Sequence, residues 1–247
     1  MPSFLSSSLR RVGAFVTAFA LLIQLSPFGT LPVAMANDTT TIVEWNFPDD
    51  SADAIADVGI EGNLTKTIST NATGALAFNG ECSATTNAAV VTGWDGGSGA
   101  RYWQIEFTTA GYSDLTLSSK QLGSNAGPKD FKVRYKIGAG GIWTDVAIPS
   151  GKIDVNNSWS IDGTGSLSNV SLPAACDNKS SVYLQWIMTS NEAVGANSAL
   201  GSGGTNRIDD IVIAAAGTID GEITSYDFGD APDSGGNYPT LFENDGA

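Results

Sequence analysis

The segment from Ala100 to Val146 alternates apolar and polar side chains in four successive runs, and that rhythm restricts what the chain can become. Trp103, Ile105 and Phe107 interleave with Tyr102, Gln104 and Glu106. Leu115-Thr-Leu-Ser118 repeats the pattern. After a break at Gly123–Pro128, Phe131, Val133, Tyr135 and Ile137 interleave with Lys132, Arg134 and Lys136. Gly138-Ala-Gly-Gly141 then turns the chain into Ile142-Trp-Thr-Asp-Val146. A period of two means strands with one face buried and the other wet. No run after residue 36 carries the helical period.

Outside this block the same reading predicts a first strand over Thr41–Phe47, with Val43, Trp45 and Phe47 on one face, ended by Pro48-Asp-Asp50. Weaker strands are predicted at Leu64–Ile68, Ala75–Phe78, Ser158–Ile161 and Val170–Leu172. Val182, Leu184, Trp186 and Met188 define a strong strand placed centrally in its sheet. The glycine-rich loop Gly195–Thr205 leads into Asn206–Ile213, which has to pair back toward the first strand to avoid open edges. The expected fold is all-β, a two-layer β-sandwich of jelly-roll topology over residues 37–216.

The amino end carries Arg10 and Arg11, an apolar run Val12–Leu25 and the small-residue exit Ala34-Met-Ala36, the sequence of a secretory signal peptide over residues 1–36. The alternative, an uncleaved anchor, is opposed by the shortness of the run and by Ser26-Pro-Phe-Gly29. No later segment is long and apolar enough to enter a membrane. Removing residues 1–36 leaves 10 basic against 26 acidic residues, which disfavours nucleic acid and anionic lipid as partners and suits neutral glycans, cations or plain solubility. Cys82 and Cys176 are the only cysteines. In an exported chain they read as one disulfide, worth roughly 3–5 kcal/mol through the unfolded state. Zinc would need two further strong ligands, and there is no histidine.

Composition changes after Ala216. Residues 217–224 read as a linker and 225–247 as the start of a second, truncated domain or a tail. Residues 102–146 with Arg207-Ile-Asp-Asp-Ile-Val-Ile213 resemble the carbohydrate-binding-like jelly-roll modules at the front of secreted bacterial multidomain surface proteins. The tail Asp227-Phe-Gly-Asp-Ala-Pro-Asp-Ser234 resembles the opening of the GEVED domain of bacterial surface proteins. These resemblances imply a secreted or cell-surface location and further domains in the same polypeptide.

Two groups of residues carry the functional expectations. Tyr102, Gln104 and Glu106 on one strand, Arg134 on another, and Tyr183 and Gln185 on a third lie on the polar side of their strands. If the strands share a sheet, they offer aromatic faces to sugar C–H groups and planar amides to hydroxyls. Otherwise the tyrosines simply cover a sheet edge. Trp94 and Trp159 are alternative stacking residues.

Asp209 and Asp210 fall among apolar neighbours, so one carboxylate is expected to be partly buried and to need a partner. Either Asp210 joins Glu44 and Asp49 as ligands of a structural calcium ion, as related jelly rolls suggest, or the pair is satisfied by Arg207 and backbone N–H groups. Catalysis has little support. The absence of histidine excludes Ser-His-Asp and Cys-His arrangements within this chain, and no spacing selects two carboxylates among Glu44, Glu106, Asp209 and Asp210. The sequence therefore points to a non-catalytic binding or adhesion module for a glycan or an extracellular protein partner. A structural spacer, or an accessory domain of a hydrolase or nuclease with its catalytic part beyond Ala247, are the alternatives.

Overall fold

A computed structural model describes residues 39–79, 87–158 and 165–219. Its strands are β1 (Thr40–Trp45), β2 (Val58–Gly59), β3 (Ser69–Thr70), β4 (Ala77–Asn79), β5 (Ala88–Val91), β6 (Tyr102–Phe107) and β7 (Tyr112–Gly123). They continue with β8 (Asp130–Ile137), β9 (Thr144–Asp145), β10 (Ile153–Asp154), β11 (Ser166–Ser171), β12 (Val182–Met188) and β13 (Asn206–Thr218). All pairings between them are antiparallel, and they form a two-layer jelly-roll β-sandwich.

One sheet has seven strands, ordered β11-β7-β13-β1-β2, with β5 on the first residues of β13 and β4 on β5. The other has six, ordered β10-β8-β12-β6-β3, with β9 also on β8. As the alternation requires, β12 is central, and the last strand, β13, pairs with the first. Between the sheets lie Trp45, Trp94, Trp103, Phe107, Phe131 and Trp186, all fully buried. Trp94 packs on Trp103 at 5.8 Å and edge-on to Phe131 at 5.4 Å. Its indole N–H donates to the Val91 carbonyl, so this tryptophan is core and not a stacking surface. Trp159 lies outside the described residues.

Two strands exceed the expectation. β7 runs for 12 residues, where alternation marked only Leu115–Ser118. Its inward column passes from Leu115 and Leu117 to Ser119 and Gln121, both buried, and the apolar signal stops there. Those polar groups serve the tryptophans: Trp186 donates to Ser119 Oγ at 3.1 Å, while Trp103 and Gln121 both donate to Asn206 Oδ1, at 2.7 and 3.1 Å. Buried indole N–H groups need such acceptors. β13 continues through Gly217 and Thr218, two residues into the expected linker.

The weakly patterned stretch before β4 contains a 3-10 turn, Glu61–Asn63. Asn63 is fully buried and bonds the Ile42 carbonyl of one sheet and both backbone groups of Thr108, beside β6 of the other. One side chain thus fastens the two layers.

The expected disulfide rests on a cysteine that the structure does not describe. Cys176 is a free thiol, fully buried among the core side chains beside the Pro173–Asp177 turn, and burial pushes it up to about 12. Its expected partner, Cys82, lies outside the described residues, as do residues 1–36, the greater part of the Ser158–Ile161 strand and the Asp227–Ser234 motif. No helix among the described residues is long and apolar enough to cross a membrane.

Candidate functional site

The outer face of the six-stranded sheet collects the polar halves of β6, β12 and β8 into a grid. Strand register sets Tyr102, Ile187 and Lys132 in one row. Gln104, Gln185 and Arg134 form the next, and Glu106, Tyr183 and Lys136 the third. All six residues singled out for ligand binding therefore share one face of three adjacent strands. The reason is simple: each occupies the wet phase of a period-two pattern, and antiparallel pairing brings equal phases to the same side.

The middle row is bonded side chain to side chain. Gln185 Nε2 donates to Gln104 Oε1 at 2.6 Å, and Arg134 Nε donates to Gln185 Oε1 at 2.8 Å. Gln185, only 3% exposed, spends both ends of its amide inside this line. Gln104 Nε2 and Arg134 Nη1 and Nη2 find no acceptor among the described residues. The line thus ends in free donors on both sides.

Aromatic groups flank it. Lys136 Nζ lies 4.6 Å from the Tyr183 ring centroid and 5.0 Å from that of Trp143, and the Arg134 guanidinium lies 4.9 Å from Trp143. Such cation–π contacts hold a cation over a ring without neutralising it. Trp143 and the neighbouring Ile142, 88% exposed, sit on the loop between β8 and β9. Desolvation lowers the Arg134 pKa, partly offset by Asp145 and Tyr102, and the group remains a cation.

Glu106 is engaged on the far side. Lys66 Nζ reaches it at 3.2 Å and Ser181 Oγ at 3.0 Å. Burial alone would raise its pKa, but these hydrogen bonds and the Lys66 charge outweigh that effect and hold the carboxyl below its ordinary value. Asp145, opposite Arg134 on β9, takes Lys132 at 2.6 Å instead. Asp130, at the end of β8, takes Lys152 and Ser190 Oγ, each at 2.6 Å. There too the desolvation of the carboxyl is outweighed and its pKa is lowered.

Sequence reasoning missed Trp143, Lys136 and the lysines that cap the carboxylates. A signal for Trp143 did exist: a Gly-rich turn after β8 makes a hairpin, and a hairpin returns Trp143 beside Lys136.

The second group of predicted residues lies on the seven-stranded sheet and does not form a cation cage. Asp210 pairs with Lys120 Nζ at 2.5 Å. Glu44, opposite Val212, accepts from Asn46 Nδ2 at 3.1 Å, and Asp49 lies in the exposed turn after β1. Among the described residues no three acidic, cysteine or histidine side chains gather at one point. Calcium takes six or more oxygens, and Asp210, Glu44 and Asp49 are not gathered as three of them.

Strict alternation through Asp209-Asp210 also fails. A β-bulge between Asp209 and Val212 puts Asp210 at φ 46°, and Ile208, Ile211 and Ile213 all reach the core. Asp209 is buried, 1% exposed. Burial first and the Asp210 charge second push its pKa up to about 7, against the pull of the Asp210 N–H and of Lys120. Of the four carboxylates considered for catalysis, Glu106 alone lies on the six-stranded sheet, and it is held by Lys66 and Ser181.

The fold and this face define a jelly-roll β-sandwich with a polar, aromatic-edged sheet surface. No protein-family model matches the chain, and no curated protein matches it in sequence. Among solved structures it is similar to the N-terminal CBM22-1-CBM22-2 tandem domain of Paenibacillus barcinonensis Xyn10C, at 11% identity and TM-score 0.43, over 71% of this chain and 50% of that one. A CBM4 structure is similar at 12% identity and TM-score 0.38, over 68% and 92%. The K2 cleaved adhesin domain of Lys-gingipain is similar at 13% identity and TM-score 0.36, over 72% and 98%. The chain spans half the length of the tandem-domain structure.

Proposed function

We propose that this chain is an extracellular, non-catalytic module that binds a glycan on the outer face of β6, β12 and β8. The observation that carries the reading is the bonded line Gln104–Gln185–Arg134, ending in uncommitted donors and bordered by Tyr102, Tyr183 and Trp143. Sugars offer what such a surface takes. Their C–H faces stack on aromatic rings, and their hydroxyl oxygens accept from fixed N–H groups.

Because the amides and the guanidinium hold one another in place before any ligand arrives, binding orders few side chains and loses little entropy. The signal-type sequence of residues 1–36 supports export. The GEVED-like tail supports further domains in the same polypeptide, which would place the module at the front of a larger surface protein.

The test is retention of the full chain on an array of immobilised neutral and acidic oligosaccharides. The expected result is retention by a restricted set of glycans, weakened at least about tenfold by Tyr183→Ala, which removes a ring from the face. Absence of retention on every glycan would contradict the reading and leave a spacer.

A further inference from the structure

The charges on the same face are not balanced, and the imbalance is located. Three carboxylates each hold one lysine: Glu106 holds Lys66, Asp145 holds Lys132 and Asp130 holds Lys152. Arg134 and Lys136 are left over. Among the described residues neither has a carboxylate oxygen within ion-pair distance. Lys136 Nζ donates to the Ala139 carbonyl at 2.6 Å, and Arg134 gives only its Nε, to Gln185. Asp154, on the edge strand β10, lies opposite Asp130, the partner of Lys152. In a chain of net charge −14, two cations outside any ion pair of the described residues therefore sit side by side over Trp143.

Arg134 is fixed on several sides at once. Gln185 holds its Nε, its Cζ lies 4.9 Å from the Trp143 ring centroid, and the acid across from it, Asp145, is already taken. Its two terminal nitrogens are free and parallel. A guanidinium offered this way matches a two-oxygen anion, carboxylate or sulfate, with which it forms paired charge-assisted hydrogen bonds. Water satisfies such a fork less specifically. Long-range repulsion from an acidic protein is screened within about 8 Å at physiological ionic strength, whereas a contact at the fork is not.

Resting on the glycan-binding reading above, we infer that the ligand is an acidic glycan whose carboxylate or sulfate is held by the terminal nitrogens of Arg134 beside Lys136 and Trp143. Stacking and the Gln104 amide then take the neutral part of the sugar.

Affinity electrophoresis of the full chain separates the possibilities. The gels contain polygalacturonate, carboxyl-reduced polygalacturonate, chondroitin sulfate, desulfated chondroitin, or the neutral polymers xylan and laminarin. The expected result is retardation by a carboxylated or a sulfated polymer, lost when its acid group is removed. The responding polymer tells which anion is used.

Arg134→Gln weakens it at least about tenfold, and Arg134→Lys, which keeps the charge and loses the fork, weakens it nearly as much. An unchanged thermal midpoint in both variants excludes misfolding as the cause. If Arg134→Gln lowers the midpoint, Trp143→Ala, on an exposed loop, takes its place with the same expected loss. Retardation by neutral polymers alone would overturn this inference and leave the glycan-binding reading standing. Retardation by acidic polymers that survives Arg134→Gln would also overturn it. No retardation by any polymer overturns both.

Discussion

The two outer faces of the sandwich are built by the same rule and end in opposite states. On the six-stranded sheet the wet positions carry long amides, a guanidinium and rings that bond to one another and leave donors at the ends of the line. On the seven-stranded sheet they carry short side chains, Thr116, Ser118, Asn169 and Ala214, and one closed ion pair, Lys120–Asp210. Three bulges also interrupt that second face, one in β1 between Thr41 and Val43, one in β13 at Asp210 and one in β11 at Asn169, the last two with positive φ. A flat, uninterrupted register keeps neighbouring side chains in line for a ligand. A bulged face breaks those lines. The difference teaches that sheet polarity alone does not make a binding surface; continuity of register and unspent donors do.

The largest effect would come from the support that both faces share. Trp186→Ala removes a fully buried indole and its bond to Ser119, and urea denaturation should show a loss of about 4 kcal/mol. Next is the buried acid behind the bulge. Because the folded pKa of Asp209 is raised to about 7 from an ordinary 3.8, ionising it disfavours the fold. Below about pH 4 the effect vanishes; between there and pH 7 stability falls as pH rises. Asp209→Asn should therefore stabilise the protein by about 2 kcal/mol at pH 8, and by little at pH 3.5, in paired urea melts. Equal gains at both pH values would show that charge is not the cause.

The binding face titrates the other way. Glu106 and Asp130 are held below their ordinary values, so the stability they contribute is present above about pH 4.5 and 3.8 and is lost as pH falls through the lower, folded values. Since Glu106 is partly exposed, Glu106→Gln should cost about 0.5 kcal/mol at pH 7 and nothing at pH 2. Smallest of all is the opposite face. Lys120→Ala opens an exposed pair and should change stability by less than about 1 kcal/mol without altering glycan retention. A chelator should leave the thermal midpoint unchanged, because Asp210 is spent on Lys120 and no three acidic side chains converge among the described residues.

The fold was legible wherever the inward column of a strand was apolar. β6, β8 and β12 stand within a residue of their expected limits for that reason. The second half of β7 was not legible, since Ser119 faces inward to accept the Trp186 indole N–H and Gln121 to bond Asn206, the acceptor of the Trp103 indole, a need that arises only after the sheets have met. The bulge was written in the spacing Ile208, Ile211, Ile213, a step of three followed by a step of two, with Asp209-Asp210 at the change of phase. A strictly alternating reading passes over it.

At the site, phase gave the face but not the pairings. Which lysine neutralises which carboxylate depends on neighbours far apart in sequence, as with Lys66 and Glu106. The burial of Cys176 has the same lesson: the core side chains that cover it come from strands far apart in sequence.

Amide and side-chain NMR shifts on adding the retained glycan to the full chain test the central claim most directly. Perturbations confined to Gln104, Gln185, Tyr183, the Arg134 Nε–H and the Trp143 indole N–H are predicted. Perturbations gathered instead around Lys120, Ser118 and Val212 would place binding on the opposite sheet and contradict the account.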